Sequence, residues 1–145
     1  MIEALISGRT PMRWSWKSFP ILKRFAMPIG ARGEKLARRF LKRLGYRIIK
    51  SNYGCPTGEI DIVAADGEVL VFVEVKSRRS DEQGDIEESV NWHKQKQVTK
   101  AARYFIQQQN AHNVPARFDV VTVVIPAKGK PTFTHFIDAF EPTPR

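Results

Sequence analysis

The sequence has few of the residues that secreted, zinc-binding and membrane proteins need. Its single cysteine, Cys55, cannot form an intramolecular disulfide, which favours a cytoplasmic location. The three histidines are scattered and have no second cysteine nearby, so we expect no zinc site. No apolar run approaches the length of a membrane span, and Arg9 interrupts the first one too early for a signal peptide. We therefore expect a protein without a membrane partner.

Acidic residues are also scarce relative to basic ones. The 145-residue chain has 24 Lys and Arg against 15 Asp and Glu, which gives a net charge of +9. Such an excess favours polyanionic partners, nucleic acid first and an anionic membrane surface second. A basic surface that only keeps the protein soluble is the alternative. The length suits one domain with a substantial core.

Residues 1–30 differ from the rest of the chain. Three prolines interrupt them and no helical or alternating period persists, which predicts a loosely ordered basic extension before an α/β domain at 31–145. Trp14 and Trp16 lie among Arg and Lys residues in this extension. Aromatic and basic side chains together either contact nucleic acid or dock a protein partner.

The pattern sharpens from Gly33 onward. Apolar residues at helical spacing predict a helix in GEKLARRFLKRLG, with Gly45 as its stop signal. A short strand follows in YRIIKSNY, and GCPTG is a loop. Two further strands, GEIDIVAA and EVLVFVEVK, flank Asp66-Gly67, a strong two-residue hairpin signal.

The second half continues with a polar loop and a helix that starts near Glu87 or Asn91 and ends at Gln109. Its predicted buried stripe consists of Val98, Ala101, Ala102 and Phe105. The segments RFDVVTVVI and TFTHFIDAF then provide a buried strand and a short last one. This order predicts an α/β fold with one mixed sheet: a three-strand meander, a crossover helix and further strands, flanked by helices.

The hairpin places charged residues together. With Asp66-Gly67 as the turn, Asp61 opposes Phe72 and Glu59 opposes Glu74. Because strands alternate with period two, one face carries the charged side chains: Glu59, Asp61, Glu74 and Lys76. The other face carries the apolar ones: Ile60, Ile62, Val71, Val73 and Val75.

Asp61 and Glu74 are diagonal neighbours in this pairing. Two carboxylates ~5 Å apart repel by about 3 kcal/mol at an effective dielectric near 20. A proton, Lys76 or a divalent cation has to offset that repulsion, and oxygen ligands of this kind suit Mg²⁺ or Mn²⁺. A solvated sheet face with a cross-strand Glu–Lys pair explains the same residues without a metal.

Asp61 followed by Glu74-Val75-Lys76 resembles the PD-(D/E)xK signature of restriction-endonuclease-like nucleases, although Ile60 stands where that signature has its proline. From Gly33 onward, almost to its end, the chain also resembles the bacterial YraN family. The matching segments are GEKLARRFLKRLGYRIIKSNY, GEIDIVAADGEVLVFVEVKSRRS, VNWHKQKQVTKAARYF and RFDVVTV. That family is linked by fold and motif to Holliday-junction resolvases, so the resemblance implies a restriction-endonuclease-like fold.

The resemblance also implies roles for individual residues. Asp61 and Glu74 would hold the metal, the Val75 backbone carbonyl would be a further ligand, and Lys76 would be catalytic. Glu34 would approach from the first helix. The alternative for Glu34 is a first-turn acid that the helix dipole favours.

Other polar residues receive weaker assignments. Glu59 lies on the same predicted face without a metal role in the family motif. Lys94 falls at the helical spacing of the buried stripe, so it points toward the sheet, where it and Gln95 would reach a phosphate. A lysine that only snorkels at a helix end is the alternative. The remaining candidates for a phosphate-tracking surface are Arg78, Arg79, Lys96, Lys100 and Arg103, with Arg38, Arg39, Lys42 and Arg43 on the first helix.

Together these features predict a Mg²⁺- or Mn²⁺-dependent endonuclease that acts on DNA. We expect structure-selective or weakly selective cleavage, because no segment resembles a base-reading module. Two alternatives are a nucleic-acid-binding protein with this fold but no useful turnover, and an adaptor that docks a partner through residues 1–30. A homodimer would suit a nuclease, since one site cuts one strand, but the sequence identifies no interface.

Overall fold

The computed structural model describes residues 27–83 and 90–145. In these ranges the chain forms helix α1 (Ile29–Arg43), strands β1 (Arg47–Cys55), β2 (Gly58–Asp66) and β3 (Val69–Arg79), helix α2 (Trp92–Gln108), and strands β4 (Ala116–Ile125) and β5 (Thr132–Phe140). The expectations for residues 1–26 lie outside the described residues. Neither helix of the described ranges is long and apolar enough to cross a membrane.

The five strands form one sheet in the order β1-β2-β3-β4-β5. β3 and β4 are parallel, and the other neighbouring pairs are antiparallel. A parallel pair needs a crossover connection, and α2 provides it. The predicted α/β fold, a mixed sheet flanked by helices, is therefore confirmed.

The end of α1 confirms the predicted stop signal. Gly45 has a φ of +94°, and its N–H donates to the Lys42 carbonyl at 3.0 Å. The N–H of Tyr46 donates to the Leu41 carbonyl at 3.0 Å. These two bonds form a Schellman motif, in which glycine takes the left-handed position at no steric cost. The start of the helix differs, because α1 begins at Ile29, ahead of the predicted Gly33.

The sheet has an apolar core on each face. On one face α1 contributes Ala37 and Leu41, which pack on Ile62, Ala64, Val71, Val73, Val121 and Val123. On the other face α2 contributes the predicted stripe, which packs on Ile60, Val63, Leu70, Phe72 and Phe118. The prediction that Ile60 shares a face with Ile62 is wrong, because the two residues belong to opposite cores.

The predicted hairpin pairing is shifted by two residues. Asp66 pairs with Val69, so the loop residues are Gly67 and Glu68. Gly67 has a φ of +57°, and a glycine with positive φ at the first loop position is the arrangement of a type II′ turn. The shift preserves the parity of the pairing and brings Asp61 level with Glu74 instead of Phe72.

Helix α1 approaches β3 closely at Gly33. A Cβ atom at this position would overlap Ser77 Oγ and lie 2.6 Å from Ser77 Cβ. Any side chain at residue 33 therefore requires α1 or Ser77 to move. The next residue of the helix is Glu34. Glycine is required here for packing and not for its φ.

We expect Gly33→Ala to lower the free energy of unfolding by about 1–3 kcal/mol, because the added methyl overpacks the contact with Ser77. Gly30→Ala is the matched control, since a Cβ at Gly30 meets nothing within 4 Å. That control should be neutral or gain up to ~1 kcal/mol from helix propensity. Urea denaturation followed by circular dichroism measures both. Equal stability of the two variants would contradict the close approach.

Candidate functional site

Strands β2 and β3 separate where the predicted site begins. Their pairing ends at Ile62 and Val73, and beyond that point the Asp61 side chain replaces the backbone ladder. Asp61 Oδ2 accepts a hydrogen bond from the Val75 N–H at 2.8 Å. The N–H and C=O of one strand residue point to the same edge, so the Val75 carbonyl faces the same gap.

Glu74 is the unusual group of this site. It is 2% exposed, and the Lys94 ammonium is 3.6 Å from its Oε2. Its Oε1 is buried and has no hydrogen-bond partner. Burial and the nearby Asp61 charge raise the pKa of Glu74 to about 8, although Lys94 and Lys76 oppose the rise. A buried carboxylate with one unused oxygen is costly unless a proton or a cation satisfies it.

Helix α1 brings a third carboxylate to this region. Burial and the charge of Asp61 raise the pKa of Glu34, while Arg38 and a hydrogen bond with the Asn52 side chain lower it. The alternative of a first-turn acid is wrong, because α1 starts at Ile29 and its first turn contains no acidic residue. The helix dipole acts mainly within the first turn, so it does not account for Glu34.

Lys76 and Glu59 border the three carboxylates. Lys76 is half-buried and close enough for its charge to lower the pKa of Glu74. Glu59 is exposed and lines a cavity of about 130 Å³ with Asp61, Asn52, Gly54 and Ile60. The structure thus brings together five predicted residues: Glu34, Asp61, Glu74, Lys76 and Lys94.

The side chains fit a hard divalent cation with few protein ligands. In residues 27–83 and 90–145, no three His, Cys, Asp or Glu side chains come close enough to hold a metal by themselves. Mg²⁺ typically binds through one or two carboxylates and keeps several waters or substrate phosphates. The free Glu74 oxygen, the Asp61 carboxylate and the Val75 carbonyl suit that ligand set.

The polar residues of α2 that were predicted to contact phosphate lie in different surroundings. Lys94 points toward the sheet, as predicted, and contacts Glu74. Gln95 Nε2 donates to the Val90 carbonyl at 3.0 Å, which supports the chain entering α2. Lys96 and Lys100 do not join the carboxylates: Lys96 Nζ is 5.0 Å from the centre of the Trp92 ring, and Lys100 is exposed.

Arg78 and Arg79 continue β3 past Lys76. Arg78 Nη1 donates to the Glu82 carbonyl at 2.8 Å, and Arg79 is exposed beside a cavity of about 360 Å³. Arg32 from α1 lines the same cavity. The two arginines therefore lie at the end of the strand that carries the site, where a role in phosphate contact stays a prediction.

Asn52 is the residue of this site that sequence reasoning missed. It lies in β1 with a φ of +50° and contacts Glu34. The signal was weak: asparagine tolerates the left-handed region better than other non-glycine residues, and here it interrupts a strand pattern. Its position next to Glu34 depends on how α1 packs on the sheet.

Comparisons with known proteins connect this site to a family. The model of "Uncharacterised protein family UPF0102" matches residues 33–123, which contain Glu34, Asp61, Glu74 and Lys76. A UPF0102 protein of Geobacter sulfurreducens is 46% identical over 113 residues, covering 78% of this chain and 88% of the relative. Similar proteins of Pelobacter propionicus and Caldicellulosiruptor saccharolyticus are each 44% identical, over 77% and 70% of this chain and 81% and 86% of theirs.

Proposed function

Because the chain belongs to the uncharacterised family UPF0102, the YraN family, we propose a function from its own site: metal-dependent endonucleolytic hydrolysis of DNA. The observation that carries the proposal is Glu74, a buried carboxylate beside Asp61 with one oxygen unused. A purely structural acid would be hydrogen-bonded on both oxygens or replaced by an apolar residue. The net charge of +9 supports a polyanionic substrate.

Asp61, Glu74 and the Val75 carbonyl would hold the ion. When bound, Mg²⁺ or Mn²⁺ would supply a more acidic water and neutralise charge on the phosphodiester. The Val75 N–H fixes the orientation of Asp61, and Lys94 places a positive charge against the buried Glu74. Lys76 would orient the attacking water or donate a hydrogen bond to the phosphoryl oxygens as their charge grows.

The site gives no reason to expect recognition of a base sequence. The basic groups near it, Lys94 from α2 and the arginines that follow Lys76, are suited to phosphate contacts. Phosphate contacts fix the position of DNA without reading sequence, so we propose structure-selective or weakly selective cleavage. Magnesium, the DNA substrate and the catalytic roles are parts of this same proposal.

A labelled four-way junction, a duplex and a single strand, each with Mg²⁺, Mn²⁺ or EDTA, test the proposal. We expect cleavage by the wild type only with a divalent cation, and a loss of at least about 10³-fold in Asp61→Asn, which removes several kcal/mol of charge stabilisation. Glu68→Gln is the control, because Glu68 is exposed in the hairpin loop and loses the same charge. Equal cleavage by Asp61→Asn, or cleavage in EDTA, would refute the proposal.

A second candidate is a DNA-binding protein with this fold and no useful turnover. One observation favours it: within the two described ranges, no three metal-ligating side chains converge. A protein of this kind would retain DNA affinity in Asp61→Asn and cleave none of the substrates with either cation. The same assay, with a gel-shift measurement at low salt, separates the two candidates.

A further inference from the structure

Asn52 adopts a backbone conformation that packing does not explain. It is one of three non-glycine residues with positive φ in the described ranges, with Asn110 and Asp138. Asn110 follows the end of α2, where left-handed residues are common, and the Asp138 N–H donates to Asp119 at 3.0 Å. Asn52 instead lies within a strand and is exposed, so no cap or core contact accounts for it. Left-handed non-glycine residues inside strands often mark functional sites.

The strand pairing places Asn52 beside the proposed metal ligand. Tyr53 pairs with Ile60, which puts Asn52 opposite Asp61 on the neighbouring strand. Directly opposed residues have Cβ atoms roughly 4.5–5.5 Å apart and share a face. Both residues line the cavity of about 130 Å³ that β1 and β2 form together.

The Asn52 side chain also contacts the acid that α1 provides. The amide is near enough to the Glu34 carboxylate to lower the pKa of that acid, and the charges of Glu34 and Asp61 act on each other. Two carboxylates that repel will turn apart unless a group holds them. An amide beside one of them can supply a donor without adding charge.

We infer that Asn52 is a positioning residue, which holds the Glu34 carboxylate toward Asp61 so that Glu34 contributes to divalent-cation binding. The inference rests on the proposed function and adds a residue to it. Glu34 acts at the ion directly or through a coordinated water, and Asn52 acts only through Glu34. Residues that orient metal ligands typically change metal affinity 10–100-fold when they are removed.

A glycine substitution separates the amide from the backbone conformation. Asn52→Gly accepts a positive φ without strain, so it removes the side chain and leaves the path of the strand unchanged. Asn110→Gly is the matched control: the same substitution at a φ of +52°, after the end of α2. Neither variant should be less stable than the wild type.

Titration calorimetry with Mn²⁺ on the full chain, with thermal unfolding of each variant, tests the inference. We expect Asn52→Gly to bind Mn²⁺ about tenfold more weakly than the wild type, and Asn110→Gly to bind it equally well. In the Glu34→Gln background the same Asn52→Gly change should have no further effect, since the group it positions is gone. A merely structural Asn52 would instead lower the unfolding temperature in both backgrounds.

The inference is overturned if Asn52→Gly binds Mn²⁺ as the wild type does, or if its loss adds fully to that of Glu34→Gln. Glu74→Gln distinguishes this outcome from failure of the proposed function. If Glu74→Gln loses Mn²⁺ affinity and Asn52→Gly does not, the result supports the metal site and contradicts the role of Asn52. If the wild type itself binds no Mn²⁺, both the proposed metal site and the role of Asn52 are contradicted.

Discussion

Glu74→Gln should abolish metal-dependent cleavage and, at the same time, make the metal-free protein more stable. The change keeps the shape of the side chain and removes a carboxylate that is 2% exposed. Loss of a metal ligand costs several kcal/mol in the transition state, so we expect cleavage to fall at least about 10³-fold. Loss of the buried charge relieves a desolvation penalty that only a bound cation or a proton offsets.

The gain in stability should depend on pH. Because the pKa of Glu74 is about 8 in the folded protein and 4.5 ordinarily, the folded state binds the proton more tightly than the unfolded state. The wild type therefore loses stability as pH rises from about 4.5 to 8, while the glutamine variant lacks this loss. At neutral pH the difference should be about 3 kcal/mol in favour of the variant. Thermal unfolding in EDTA between pH 5 and 8.5 measures it.

Mn²⁺ should reverse the order of stability, so that the wild type becomes more stable than Glu74→Gln. A cation that binds only the folded state raises its unfolding temperature, and only the wild type retains the Glu74 carboxylate. Glu68→Gln, which removes an exposed charge in the hairpin loop, should follow the wild type in every condition. If Glu74→Gln is less stable than the wild type at pH 8 in EDTA, the buried acid is structural and the metal proposal loses its main support.

Asp119→Asn should have the largest effect on stability, away from the metal site. Asp119 is fully buried in β4 and accepts hydrogen bonds from Arg117 Nε at 3.0 Å, His135 Nε2 at 2.8 Å and the Asp138 N–H at 3.0 Å. An amide in its place turns one acceptor into a donor and leaves Arg117 with the half-exposed Asp66 as its charged partner. Breaking a buried pair in this way costs about 3–5 kcal/mol. Urea denaturation at pH 7 measures the loss.

The loss of folding stability at low pH should also depend on Asp119. Burial alone would raise the pKa of Asp119, but the hydrogen bonds from His135, Arg117 and Asp138 outweigh it and the pKa lies below 3.8. The stabilisation is therefore complete above pH 3.8 and is lost as pH falls through the folded pKa. Asp66→Asn is the control, because Asp66 contacts the same Arg117 at 3.1 Å but is 48% exposed, so it should cost less than ~1 kcal/mol. Equal losses in the two variants would contradict this account.

The elements could be predicted because their signals are local. Gly45 after an amphipathic run ends α1, and the buried apolar residues of α2 are the four that helical spacing selects. The hairpin was predictable in kind, and its exact pairing was not, since the position of the left-handed residue within the loop decides the register. Gly67 takes that position, which leaves Asp66 in the strand.

The candidate site was predictable only in part. Asp61, Glu74 and Lys76 follow from alternation along two adjacent strands, and the direction of Lys94 follows from helical spacing. The change of face between Ile60 and Ile62 was not predictable, because alternation assumes an uninterrupted strand. The change occurs opposite Asn52, whose left-handed backbone departs from regular strand geometry.

The sequence by itself determined the order of helices and strands, the net charge and the proximity of two acids across a tight turn. These properties depend on side chains a few residues apart. Only the tertiary structure decided that Glu74 is buried with an unused oxygen, that Gly33 brings Glu34 to the sheet, and that Asn52 contacts Glu34. Each of those depends on how distant segments pack, and desolvation and close contact are set by that packing.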